Sequence, residues 1–219
     1  MSNISASMVF ELRKATGAGI MDCKKALAEN DADFEKAVEF LMVKKKASAA
    51  KKQTRIAAEG TVSSYVHMGG RIGVLCEINC ETDFVAKTPQ FQDFVKDVCM
   101  HIAAAAPTVV RREDIDADVA GTQKDLFTAQ VIEEGKPEHI AERIVTGKMD
   151  KWYKEASLLE QVFVKDEAGK MTVGQYLENV TGDLGEKISI RRFMRFELGE
   201  GLEKREENFA EEVAAQMGN

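Results

Sequence analysis

No window of the sequence approaches the roughly 18 to 20 consecutive apolar residues that a membrane span needs, and the first residues carry no basic and apolar leader. A cytoplasmic protein without a membrane partner is the expectation. Four cysteines, Cys23, Cys76, Cys80 and Cys99, form no CxxC pair and lie within apolar or amphipathic patterns, so reduced buried thiols are expected. Thiol oxidoreductase chemistry is correspondingly disfavoured. Cys76 and Cys80 cannot share a metal ion, since four residues of strand at about 3.3 Å each set them about 13 Å apart. Cys99 with His67 and His101 could be offered as ligands, but a cysteine on an amphipathic helix suits a core. No metal and no cofactor are expected. The sequence also lacks GxxxxGK[ST]: Gly147-Lys148-Met149 and Gly169-Lys170-Met171 have neither the first glycine nor the Ser/Thr, which argues against a phosphate loop. Of the three histidines, His67, His101 and His139, none sits in a nucleophile motif, so the chain is not expected to be an enzyme in the covalent sense.

An excess of positive charge is lacking too. A formal net charge of −7 opposes broad affinity for nucleic acid, which depends on clustered Lys and Arg releasing counterions. The basic cluster is local, Lys44, Lys45, Lys46, Lys51, Lys52 and Arg55 among Ala47, Ala49, Ala50, Ala57 and Ala58. That composition suits an exposed connecting helix.

What is present begins with Ile72, Val74, Cys76, Ile78 and Cys80, apolar at every second position as in a half-buried strand. Thr88-Pro89 then reads as an N-cap with proline at the first helical position, and Phe91, Phe94, Val95, Val98 and Ile102 follow at helical spacing. Residues 82 to 87 are therefore expected to form a loop from strand to helix, and that loop contains Phe84. Such an aromatic either folds back as a plug over the core or projects as a wedge for a partner.

Residues 1–42 read as three short helices. Ser5 caps the first, Thr16-Gly17-Ala18-Gly19 ends it, Met21 to Leu27 form the second, and Phe34, Ala37, Val38 and Leu41 mark the third. Residues 43–58 are the lysine and alanine linker helix, and 59–200 a core domain. Within that domain Thr61 to His67 alternate as a strand, Gly69-Gly70 turns the chain, and residues 71 to 80 return. Two helices are predicted near 120–134 and 137–154, an extended segment and turn over 163–172, and another helix over 173–177. Ile188, Ile190, Met194, Phe196 and Leu198 alternate, interrupted by Arg192, and predict a last strand against the hairpin. Residues 201–219 form a tail in which Phe209, Val213 and Met217 are spaced by four. The fold class is α+β: a three-helix ubiquitin-associated-like bundle, a linker helix, and a small antiparallel sheet covered by helices.

Three stretches carry a resemblance. They are Leu12-Arg-Lys-Ala-Thr-Gly-Ala-Gly-Ile-Met-Asp-Cys-Lys-Lys-Ala-Leu27, Asn79-Cys-Glu-Thr-Asp-Phe-Val-Ala-Lys87, and a region running from Lys136-Pro-Glu-His-Ile-Ala-Glu-Arg-Ile144 through Leu158-Leu-Glu-Gln-Val-Phe-Val164 to Thr172-Val-Gly-Gln-Tyr-Leu177. In order and spacing they resemble bacterial elongation factor Ts, across nearly the whole chain. The resemblance implies a guanine-nucleotide exchange factor that binds the GTPase elongation factor Tu, displaces Mg²⁺ and GDP, and stabilises the nucleotide-free state until GTP binds. It places Asp83 and Phe84 against the Mg²⁺ region of the GTPase, with Thr82 and Val85 shaping the loop, and makes Leu12, Arg13, Ile20 and Met21 contact candidates on the N-terminal module. For Leu12 a place in the bundle core stays open. Ile20 departs from the methionine often found there, a swap that keeps apolar volume. His67, before Gly69-Gly70-Arg71-Ile72-Gly73-Val74, matches a histidine in the repeated half of longer members and is a second-tier candidate; otherwise it is a solvated turn residue. Long members carry two sheet-and-helix units, whereas the Asn79 to Phe84 signature, the His67 to Val74 turn and the Ile190-Arg-Arg192 strand occur once here. This resembles the short form, so a homodimer and a complex with two chains of each protein are expected. The tail's spacing suits an amphipathic helix that packs on its own core or on a partner, and the resemblance favours the GTPase. A different reading keeps the bundle as an interaction module and uses the lysine linker in an RNA-contacting domain.

Overall fold

The computed structural model describes residues 4–135 and 137–202, without the side chains of Glu138 and His139. The tail containing Phe209, Val213 and Met217 lies outside the described residues. Three helices open the chain: α1 (Ala6–Thr16), α2 (Ile20–Glu29) and α3 (Phe34–Lys52). Ser5 accepts from the Met8 N–H to cap α1, and Gly17 ends it in the left-handed region at φ 70°. Asp33 caps α3 by accepting from the Lys36 N–H. Val9, Leu12, Cys23, Ala26, Leu27, Ala37 and Leu41 close one apolar core among them.

The sequence suggests a third bundle helix followed by a separate linker helix, yet α3 runs unbroken to Lys52. Residues 42 to 52 contain no glycine or proline to interrupt it. Its second half is not a free basic rod. Ala49 is buried, Lys45 pairs with Asp183 at 2.6 Å and Lys44 with Asp22 at 2.6 Å, and the buried Lys52 donates to Ser48 Oγ at 3.0 Å. A β-carbon on Gly182 would lie 2.3 Å from Lys45 Cγ, so this close crossing needs glycine there.

Strands β1 (Glu59–Val66), β2 (Ile72–Cys80) and β3 (Ser189–Glu197) form an antiparallel sheet in the order β1-β2-β3. The hairpin turns through Met68–Gly70, a short 3₁₀ turn with Gly69 at φ 82° and Gly70 at φ 69°. One face of the sheet is covered by α5 (Pro89–Ala105), and α8 (Val173–Leu184) packs against α5 in the same core. Phe91, Phe94, Val95, Val98 and Ile102 of α5 pack there with Val74, Cys76 and Ile78, as the spacing of both elements requires.

β3 departs from simple alternation. Glu77 pairs with Arg192 whereas Ile78 pairs with Ile190, so Arg191 is an extra residue, a β-bulge. Since side chains alternate with period two, one extra residue exchanges the faces. Ile188 and Ile190 are buried, while Met194 and Phe196, of the same parity, face outward with Phe196 61% exposed. Arg192, which interrupts the apolar pattern, lies beside this extra residue.

Helices α6 (Ala117–Glu133) and α7 (Glu138–Ala156) form a hairpin around their own small core of Val131, Val145 and Met149. Its base is tied down by Arg112, whose Nε donates to Glu160 Oε1 at 2.6 Å and whose guanidinium lies 5.3 Å from the Tyr153 ring centre.

His101, on α5, is fully buried; its Nε2 meets Gln161 Oε1 at 2.9 Å and its Nδ1 accepts the Val164 N–H at 3.2 Å. These partners suit the neutral tautomer protonated at Nε2, and burial lowers the pKa below the usual histidine value of 6.5. The unfolded chain then binds the proton more readily, so stability falls as pH drops below about 6.5. Urea unfolding between pH 7.5 and 5 should show that loss, and His101→Gln should flatten it. An unaltered pH slope in a folded variant would remove His101 as its source.

Candidate functional site

Between β2 and α5 the chain makes a single helical turn, α4 (Asp83–Ala86), where the sequence suggests a loop. Thr82 is extended and its hydroxyl accepts the Val85 N–H at 3.4 Å, which starts the turn. Thr88 Oγ1 donates to the Val85 carbonyl at 2.8 Å and Gln92 Nε2 to the Ala86 carbonyl at 2.6 Å, so α5 holds the far side. Ala86 is buried and the half-buried Val85 packs on the core. The same turn must then aim its other residues outward: Asp83 is exposed and Phe84 is 78% exposed. Phe84 projects and does not plug the core. Asp83 Oδ2 accepts from Lys87 Nζ at 2.7 Å, and Lys87 holds its carboxyl below the usual aspartate range.

A further anchor has no counterpart in the local sequence pattern. Glu186, in the connection from α8 to β3, accepts the Glu81 N–H at 3.1 Å, the Thr82 N–H at 3.0 Å and the Thr82 hydroxyl at 2.7 Å. A separation of 104 residues from Thr82 gives it no periodic signal.

On the N-terminal module, Leu12 is 0% exposed in the bundle core, so its side chain is not presented as a contact. Arg13 and Ile20 are exposed, and Met21 is 75% exposed in the first turn of α2. The loop leading to them is braced by Thr16, whose hydroxyl donates to the Leu12 carbonyl at 2.7 Å and accepts the Ala18 N–H at 3.3 Å. Phe10, Met42 and Val43 are exposed apolar residues on the same bundle that the sequence pattern does not single out. Helical spacing marks the buried stripe and is silent on which off-stripe residues have a use. His67 is an exposed turn residue whose Nδ1 lies 3.1 Å from the Tyr65 hydroxyl.

All four cysteines are buried, and burial pushes the Cys80 thiol up to about 11. No group of three or more metal-binding side chains comes together among the described residues, and no described helix is long and apolar enough to cross a membrane. A cleft of about 920 Å³ lies between the α1–α2 loop, α3 and α8 and is lined by both partners of the Lys44–Asp22 and Lys45–Asp183 pairs. The exposed aromatic is elsewhere, on a projection and not in a cavity.

The family model described as Elongation factor TS matches residues 18–200, a span that includes both the Gly17–Met21 region from Ala18 onward and the whole Phe84 turn. The chain belongs to the elongation factor Ts family. It is 58% identical over 217 residues to Elongation factor Ts of Desulforamulus reducens, covering 99% of each chain. It is 59% identical over 215 residues to that of Alkaliphilus oremlandii, with 98% of each covered. Against the Geobacter metallireducens protein identity is 56% over 216 residues, with 99% of each chain covered. Relatives of nearly equal length therefore align over 98 to 99% of both chains, and the described residues form an α+β architecture with one three-stranded sheet.

Proposed function

We propose that this translation elongation factor is the guanine-nucleotide exchange factor for elongation factor Tu, acting in the cytoplasm without covalent chemistry or a cofactor of its own. The observation that carries the reading is Phe84, 78% exposed on a turn whose backbone is held from both sides. A flexible loop would lose the cost of ordering from its binding energy; a pre-formed turn loses little. Docked on the GTPase, Phe84 acts as an apolar wedge and Asp83 disturbs the polar network around Mg²⁺, so several charge-assisted contacts to GDP weaken together. Thr82 and Val85 set the turn's geometry. Linkage requires the chain to weaken GDP by the factor by which GDP weakens the chain's own binding, so it stabilises the nucleotide-free GTPase until GTP enters.

Residues 1–42 serve as a docking module through Arg13, Ile20 and Met21, with Leu12 supporting them from the core. Residues 59–200 carry the wedge, 43–58 connect the two, and His67 is a peripheral contact. The RNA-contacting reading loses support because Lys44, Lys45, Lys52 and Arg55 are engaged within the chain. A homodimer completes the proposal. The sheet face away from α5 exposes Val62, Val66, Leu75, Met194 and Phe196, with Leu75 opposite Met194 and Gly73 opposite Phe196. Such a contiguous apolar patch suits a second copy of the chain, giving two chains of each protein in the complex.

Release of a fluorescent GDP analogue from purified elongation factor Tu tests the reading. Acceleration by catalytic amounts of the chain, little weakened by added salt, is expected; no acceleration at any concentration rejects it, and steep salt dependence with RNA binding would favour the alternative.

A further inference from the structure

We infer that Glu186 is a positioning residue that holds the Asp83–Phe84 turn in its projecting geometry, an inference that rests on the exchange-factor reading above. One carboxylate oxygen accepts two consecutive backbone N–H groups, those of Glu81 and Thr82, and the other accepts the Thr82 hydroxyl. Donating its one hydroxyl hydrogen to Glu186 leaves the Thr82 oxygen to accept the Val85 N–H, which opens the turn. Glu186 therefore sets the orientation of the cap as well as the path of the backbone into it.

The clasp is reciprocal. Glu81 returns its carboxylate to the Lys187 N–H at 2.6 Å and to Arg55 Nη1 at 3.3 Å, while Lys187 Nζ donates to the carbonyls of Gln53 at 2.7 Å and Arg55 at 2.9 Å. The residues after α3, the end of β2 and the connection into β3 thus meet at the base of the Phe84 turn. Two crossed carboxylates fix this junction against rotation in a way one could not, because Glu186 holds the Glu81 and Thr82 amides while Glu81 holds the amide of Lys187, the residue after Glu186. The junction also links the docking module's last helix to the wedge through two hydrogen-bonded steps.

The test uses the full chain with Glu186→Ala and Glu186→Gln. Glu186→Ala should lower the maximal rate of GDP-analogue release from elongation factor Tu about tenfold, from loss of charge-assisted hydrogen bonds. The concentration giving half the maximal rate should move less than about threefold, because the docking surfaces are untouched. Glu186→Gln keeps one acceptor oxygen and should fall between the two. Amide hydrogen exchange over residues 78–90 should quicken in both variants without partner present. A general structural role would instead raise the half-saturating concentration or quicken hydrogen exchange across the whole chain. A folded Glu186→Ala chain with the parent's maximal rate, while Phe84→Ala is slow, overturns the inference and leaves the exchange reading standing. A parent chain that never accelerates release overturns the exchange reading, and unchanged protection of residues 78–90 would then overturn the positioning role by itself. If Glu186→Ala does not fold, the same criteria apply to Glu186→Gln.

Discussion

Phe84→Ala should slow the maximal rate of GDP release from elongation factor Tu by about 10- to 100-fold while leaving the chain's own stability almost unchanged. Burying a phenylalanine contributes about 1.5 to 3 kcal/mol, and each 1.4 kcal/mol is a factor of ten, so loss of the wedge accounts for that range. The side chain is 78% exposed, so its removal leaves no cavity in the free chain. Its effect on unfolding should stay within about 0.5 kcal/mol, as for other exposed positions. That contrast gives the experiment its force: thermal unfolding reports an intact protein while stopped-flow release reports a failed exchange factor. Asp83→Ala should have a smaller effect, and in the free chain it removes only an exposed i,i+4 pair with Lys87, so stability should hardly change. The double variant should lose nearly all acceleration. A folded Phe84→Ala chain with the parent's rate would show that the docking surface, and not this turn, drives release.

Phe196→Asp should convert the proposed homodimer into monomer. Phe196 stands on the outward face of β3 opposite Gly73, next to the Leu75–Met194 pair, where a sheet-on-sheet contact about 10 Å deep would bury it. A carboxylate placed there has to be desolvated without a partner, and hot-spot changes of this kind cost about 2 to 4 kcal/mol, a weakening of roughly 30- to 1,000-fold. Sedimentation equilibrium at micromolar concentration should find the parent at twice the chain mass and the variant at the chain mass. Glu77 sits at the edge of the same face between Arg191 and Arg192, each 2.7 Å away, and these ion pairs close the patch with a polar rim. A parent that sediments as a monomer across that range would reject the dimer.

Much of this architecture was legible in the chain. Caps at Ser5 and Thr88, glycines at helix ends, and the period-two run from Ile72 to Cys80 placed the starts of those helices and the hairpin, whereas the ends of α3 and α8 run on to Lys52 and Leu184, past the residues that marked them. These signals act over one or two turns of backbone, and the contacts they describe lie between near neighbours in sequence. The signature around Phe84 was equally visible as residue types whose presence between a strand and a helix demanded a use.

Where each side chain ends up is another matter. Leu12 and Met21 are both apolar contact candidates of the N-terminal module, yet one is fully buried and the other exposed, because helix packing chooses the inward face. Phe84 could have been a plug; Val85 and Ala86 take the inward positions of α4 and turn it outward. The outward face of β3 depends on one extra residue at Arg191, which alternation alone assigns to the opposite side. Local chemistry by itself thus determined the elements, the α+β class and the residues that carry the family resemblance. Only the tertiary structure decided which of them face solvent and which distant group, Glu186, holds the turn, because those outcomes depend on register and on contacts between segments more than a hundred residues apart.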